Sequence, residues 1–269
     1  MGLLNELALF AGAGGGLLGS RLLGWRTRCA VELDSYARSV LLARQRDGHL
    51  DRFPIWDDVC TFDGKPWRGA IDVVSGGFPC QDISAAGKGA GLAGDRSGLF
   101  FQMLRIVEEV QPRFVFAENS PNLRTRGLVT VIKELNRLGY DARWCVLGAW
   151  HVGAPHKRNR MWVLGYRPDT AGNSRGLQSQ CPQRKNTPEF AHNGKQKPMA
   201  NASDTETAGE GQTNHAVNEC VTHYWSTEPA VGRVAHGVAN RVDRLKALGN
   251  GQVPAVAARA FRILSEGLI

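Results

Sequence analysis

From residue 7 to residue 165, short runs of β-branched, aromatic and aliphatic residues alternate with stretches of helical spacing. The runs are "LALF" (7–10), "RCAVEL" (28–33), "AIDVVSG" (70–76), "RFVFAE" (113–118), "ARWCVLG" (142–148) and "RMWVLGY" (160–166). Strands alternating with helices leave few solutions: the strands lie mostly parallel and the connecting helices cover both faces of the sheet. The expected fold class is therefore α/β, with a doubly wound, mostly parallel sheet. Leu99, Met103, Ile106, Val107 and Val110 recur at helical spacing, which predicts an amphipathic helix packed on that sheet. "VPAVAARAFRIL" (253–264) predicts a closing helix with Pro254 near its start.

The pattern stops after Tyr166. From Arg167 to Ala216 the large apolar side chains are Leu177, Phe190 and Met199, set among Gly, Asn, Gln, Ser and Thr. Such a segment cannot bury enough surface alone to offset its ordering entropy, so a long loop ordered by a partner is expected there. The expected organisation is an α/β domain over 1–166, a short polar variable region over 167–230, and a segment over 231–269 that returns to complete the first domain.

Lys and Arg exceed Asp and Glu by 33 to 25, a net charge of +8 that favours a polyanionic partner such as nucleic acid. The 6 cysteines show no CxxC pair and no dense framework, which suggests reduced thiols and a cytoplasmic setting. His215, Cys220 and His223, with Cys181 upstream, match no common zinc-finger spacing, and no metal is expected. No run of eighteen apolar residues occurs, and "MGLLNELALFAGAGGG" reads as a first strand rather than a signal peptide, so no membrane association is expected.

The first strand runs into Gly12, Gly14, Gly15 and Gly16, followed by the helical "LLGSRLLG". Glycines there let the backbone turn tightly and let a ligand approach without a Cβ in the way. Glu32 follows twenty residues after Gly12, at the end of the next strand, where a carboxylate can accept hydrogen bonds from ribose hydroxyls. Leu17 stands where a dinucleotide fingerprint has glycine, which favours a cofactor without phosphates, such as S-adenosyl-L-methionine, over a pyrophosphate.

Six motifs then occur in one order: "FAGAGGG" (10–16), "GGFPCQDIS" (76–84), "DRSGLFFQMLRIV" (95–107), "FAENS" (116–120), "GAPHKRNRMWVLG" (153–165) and "LGNGQVP" (248–254). The series resembles the C5-cytosine DNA methyltransferase family, whose fold is a Rossmann-like methyltransferase sheet. The resemblance implies methyl transfer from S-adenosyl-L-methionine to C5 of a flipped-out cytosine in double-stranded DNA. C5 is a poor nucleophile in an aromatic ring; a thiolate adding at C6 makes it enamine-like. Cys80 matches the nucleophile, and Glu118 the carboxyl group that engages ring N3 and the exocyclic amine. Asn119 is implied to hold the turn beside the Pro-Cys loop, and Arg158 with Arg160 to be the cationic pair that holds the cytosine carbonyl and a phosphate.

For the donor, the resemblance implies Phe10 over the adenine or methionine face, with Ala11, Gly12, Ala13 and Gly15 giving backbone contacts. Glu32 takes the ribose with Leu33 beside it, and Asp58 takes the adenine amine with Val59 beside it. Leu99 packs on the adenine, Pro79 is a further cofactor contact, and Asn250 and Gly251 return from the C-terminal segment to close the site. The loop over 82–98 is expected to act as a flap, with Gln81, Ser84 and Lys88 at the DNA, while Arg233, Arg241 and Arg244 are candidates for phosphate contacts. His156 stands where the family more often has Gln, and Gly251 replaces its usual serine. A monomer is expected, with a cognate restriction endonuclease as a further partner. Two other readings stay open: a tRNA cytosine-C5 methyltransferase on the same fold, and a catalytically silent DNA-binding relative.

Overall fold

The computed structural model describes residues 3–79, 98–168 and 241–269. Cys80, Gln81, Ser84, Lys88 and Arg233 lie outside the described residues, as do nearly all of the expected flap and variable region and the four zinc candidates.

Seven strands form one sheet: β1 (Asn5–Leu9), β2 (Arg26–Val31), β3 (Ile55–Trp56), β4 (Val73–Gly77), β5 (Phe114–Asn119), β6 (Asp141–Leu147) and β7 (Arg160–Tyr166). Their order is β3-β2-β1-β4-β5-β7-β6. The first five run parallel; β7 is antiparallel to both β5 and β6. The α/β class holds, with two differences of detail. β3 was not expected, because two residues carry no periodicity. β7 inserts between β5 and β6 in the opposite sense, so its first residues sit at the edge where the parallel strands end.

The helices are α1 (Gly15–Leu22), α2 (Ser35–Arg46), α3 (Gly98–Val110), α4 (Leu123–Arg126), α5 (Leu128–Arg137), α6 (Arg241–Asn250) and α7 (Pro254–Leu264). Gly14 begins α1 at φ 96, in the left-handed region that glycine alone enters freely. Asp34 caps α2, its side chain accepting from the amides of Tyr36 and Ala37. Pro254 opens α7, where its missing N–H costs no helical bond.

Both faces of the sheet are packed, as a parallel sheet requires. On one face, Met103, Ile106, Val107 and Val110 of α3 and Val131 and Leu135 of α5 bury against Leu7, Val74 and Val115. On the other, Val256, Ala257, Ala260 and Phe261 of α7 bury against Val73, Phe114, Phe116 and Trp162. α7 also lies close on α1, where a Cβ on Gly19 would stand 2.9 Å from the Ala257 methyl. The returning chain thus reaches the glycine turn at the start of α1.

Candidate functional site

Parallel α/β sheets bind ligands beyond the carboxyl ends of their strands, where neighbouring connections leave in opposite directions. Here that point is the gap between β1 and β4. An open cleft of about 440 Å3 lies there, with Phe10, Gly12, Ser75, Glu118, Asn250 and Gln252 among its lining. It is bounded by the ends of β1, β4 and β5 and by the turn between α6 and α7.

On its β1 side, Phe10 and Gly12 hold positive φ values of 53 and 56, and the backbone turns sharply away from the strand. A Cβ on Gly12 would meet nothing within 4 Å, so the amide face of the turn is open to a ligand. Glu32 lies one residue past the end of β2 at Val31, not within the strand as the sequence suggested. Its carboxylate accepts from the amide of Gly12 at 2.6 Å and from that of Asp34 at 2.7 Å. Two acceptor oxygens fixed by amides, each with a lone pair left over, suit ribose hydroxyls. The expected cofactor residues of three strand ends therefore fall on one rim: Phe10 to Ala13 after β1, Glu32 and exposed Leu33 after β2, Asp58 and buried Val59 after β3. Asp58 Oδ1 accepts from the amide of Cys60 at 2.8 Å. Leu99 packs, half-buried, on the core below α3, and Pro79 is the last described residue after β4.

On the β5 side, Glu118 is buried, 8% exposed, and its Oε1 lies 2.7 Å from Nε of Arg160. The antiparallel sense of β7 makes this pair possible, because it starts where β5 ends, with Asn119 opposite Met161. Burial pushes the Glu118 carboxyl above the usual carboxylate range, opposed by Arg160, Arg158 and a hydrogen bond from Gln252. Asn119 Nδ2 donates to the carbonyl of Phe78 at 3.0 Å, and its Oδ1 accepts from the amide of Ser120. The end of β5 is thereby tied to the chain leaving β4 toward Cys80.

Arg158 and Arg160 face different groups. Arg158, in the left-handed region at φ 34, donates through Nη2 to the carbonyls of Leu248 at 3.2 Å, Gly249 at 2.7 Å and Gly251. It fastens the turn after α6 beside the cleft. Lys246 on α6 pairs with Asp34 at 2.7 Å and adds a second fastening. Arg241 and Arg244 are exposed on the same helix.

Two residues absent from the sequence reading matter here. Glu6 on β1 is 1% exposed and accepts from three hydroxyls, Ser20 and Ser75 at 2.6 Å and Thr27 at 2.8 Å. It pins α1, β2 and β4 around the root of the glycine turn. Gln252 hydrogen-bonds Glu118 and packs on the turn itself. In "GNGQVP" the family resemblance points to Asn250 and Gly251, and a lone glutamine beside them carries no signal of its own.

Cys29, Cys60 and Cys145 form no disulfide. Burial pushes the Cys29 thiol up to about 11, and burial with the Asp58 carboxylate raises that of Cys60, so neither is poised as a thiolate. Among the described residues no cluster of three His, Cys, Asp or Glu could hold a metal ion, and no helix is long and apolar enough to cross a membrane.

A family model described as C-5 cytosine-specific DNA methylase matches residues 4–254. The Type II methyltransferase M.CviJI of Paramecium bursaria Chlorella virus IL3A is 36% identical over 167 residues, 61% of this chain and 44% of its own length. M.Eco47II of Escherichia coli is 36% identical over 172 residues, 61% of this chain and 40% of its own length. The match thus spans less than half the length of either relative. A crystal structure titled as a DNA modification methyltransferase encoded within an E. coli prophage aligns with TM-score 0.50 at 28% identity, over 62% of this chain and 47% of that one. The Entamoeba histolytica methyltransferase EhMeth aligns with TM-score 0.52 at 15% identity, over 62% and 53%, a likeness of fold.

Proposed function

Since this chain belongs to the C-5 cytosine-specific DNA methylase family, we propose that it is an enzyme that methylates C5 of cytosine in double-stranded DNA, with S-adenosyl-L-methionine as the donor. The observation that carries this reading is that Glu118, ion-paired with Arg160, lines the same cleft as the glycine turn, whose Gly12 amide is held by Glu32. An acid able to hold a proton, a cation beside it and a nucleoside-sized rim then lie around one opening. That donor set fits the cofactor: Glu32 suits the ribose, Asp58 and Val59 border the adenine end, and the backbone of Phe10 to Ala13 with Gly15 faces the rest. When bound, S-adenosyl-L-methionine supplies an electrophilic methyl group.

Gly77 pairs with Glu118 across β4 and β5, and Cys80 follows Gly77 by three residues in the sequence. Its thiolate adds to C6 of the cytosine, forming the S–C6 bond while the C5–C6 π electrons move toward the ring carbonyl and N3. Glu118, whose proton affinity is raised by burial, donates a proton to N3, and Arg160 takes the O2 side. C5 would then bond to the methyl carbon while the pair of the broken sulfur–methyl bond stays on the donor's sulfur. Loss of the C5 proton to a base re-forms the C5–C6 double bond and expels Cys80, and N3 returns its proton to Glu118 as aromaticity is restored. A stacked cytosine hides C6, so the base must leave the duplex, at a cost of about a few kcal/mol.

The same reading assigns 1–166 with 231–269 to the catalytic unit and 167–230 to target recognition. Gln81, Ser84, Lys88, Arg233, Arg241 and Arg244 are its proposed DNA contacts, and a cognate endonuclease its proposed companion. The test is transfer of labelled methyl to duplex DNA and to tRNA, each digested to nucleosides. Label on 5-methyldeoxycytidine supports the proposal; label confined to tRNA, or none, overturns it.

A further inference from the structure

Gln252 occupies a place that the expected chemistry does not use. Its side chain hydrogen-bonds Glu118, and it lies against three glycines from two different strand ends. A Cβ on Gly16 would stand 2.8 Å from its Oε1, one on Gly77 would stand 3.3 Å from its Nε2, and one on Gly15 would collide with its backbone. The Gly77 position would also meet Glu118 Oε2 at 2.7 Å. The Gly15 contact is with backbone and leaves no room for a side chain, so that glycine admits the returning chain, while Gly16 and Gly77 meet only the ends of the Gln252 and Glu118 side chains. Gly15 and Gly16 therefore do more than open the turn to a cofactor.

The orientation of the carboxamide follows from this packing. Nε2 is the end near Gly77 and the Glu118 carboxylate, and it donates; Oε1 is turned to the glycine turn. Gln252 is held from behind by Arg158, which binds the carbonyls of Gly251, Gly249 and Leu248, and from ahead by α7. A carboxylate gripped by Arg160 on one side and an amide on the other cannot rotate freely.

We propose that Gln252 is a positioning residue that holds the Glu118 carboxyl in one orientation and ties it to the glycine turn through the returning chain. The proposal rests on the reading of Glu118 as the group that engages the cytosine ring. Among the described residues, the charged groups facing Glu118 are Arg160 at the start of β7 and Arg158 just before it; Gln252 is the neutral donor opposite them. Because its N–H favours the charged carboxylate, removing it moves the Glu118 titration to higher pH. Replacing it with a carboxyl adds a like charge and moves that titration further in the same direction.

The experiment is a 13C titration of the full-length protein labelled at glutamate side chains, with E118Q identifying the Glu118 resonance. Wild type, Q252L and the near-isosteric Q252E are compared, with methyl-transfer kinetics on duplex DNA measured alongside. The expected result is a Glu118 midpoint raised in Q252L and raised more in Q252E, with kcat lowered about tenfold or more and DNA affinity unchanged. An unchanged midpoint in both variants overturns the proposal. The titration needs no turnover, so a Gln252-dependent midpoint in a protein that methylates no DNA sustains this inference and defeats the proposed reaction.

Discussion

Glu118 carries two opposed influences, and their balance defines what the residue can do. Burial favours its neutral form, while Arg160, Arg158 and Gln252 favour the charged one; burial prevails. A carboxyl whose folded pKa lies above its unfolded value binds more protons in the native state. Its stability contribution is therefore full below the unfolded value, 4.5, and is lost as pH rises through the raised one. Urea unfolding of wild type and E118Q should show wild type losing stability relative to the variant as pH rises above 4.5; parallel curves contradict the assignment. Methyl transfer by E118Q should fall roughly 10²–10⁴-fold while DNA binding persists. Glu6 has the same direction of shift for the same first cause, burial, but its three hydroxyl donors mark it as a structural hub. Glu6→Ala leaves those donors to find other acceptors and should cost about 2 kcal/mol in urea unfolding. The sequence concealed Glu6 because the hydrophobic run begins at Leu7, so a glutamate just before it reads as an exposed flank.

At the scale of elements, six of the seven strands were legible because each carries a run of β-branched, aromatic and aliphatic residues long enough to stand out. β3 was not, being two residues long and held by pairing with β2 at Ala30 and Val31. The antiparallel sense of β7 was also hidden: a hydrophobic run has no direction until its partner is known. That direction brings Arg160 to the end of β5, within ion-pairing distance of Glu118. The glycine turn was read from its spacing, but the roles of Gly15 and Gly16 toward Gln252 depend on a contact between chain segments far apart in sequence. α2 offers a local test. Asp34→Ala removes two hydrogen bonds to the first turn and should cost about 1 kcal/mol in chemical denaturation. The Lys246 bond first, and then the cap amides, hold the Asp34 carboxyl below its ordinary 3.8, so its contribution is present above that value and fades as pH falls through the lowered one.

Over the whole molecule, the family was legible from the order of the six motifs, which lie within the residues matched by the family model. What spacing could not convey is how the last motif serves the first. The returning turn is fastened by Arg158 and Lys246, reaches Gly15, Gly16 and Glu118, and so joins the donor side of the cleft to the acid side. With a net charge of +8, the proposed DNA binding should depend strongly on salt. Affinity should fall by about 10³-fold or more between roughly 50 and 200 mM salt if six or more phosphates are contacted; an affinity insensitive to salt contradicts an electrostatic interface. The proposed reaction turns on Cys80 forming a transient bond to C6 of a cytosine in DNA. Duplex DNA carrying 5-fluorocytosine blocks release, because C5 then has no proton to lose. Incubated with S-adenosyl-L-methionine and this DNA, wild type should give a covalent protein–DNA adduct that survives denaturing electrophoresis, and Cys80→Ser should give none. An active wild type that forms no adduct, or a fully active Cys80→Ser variant, contradicts the claim.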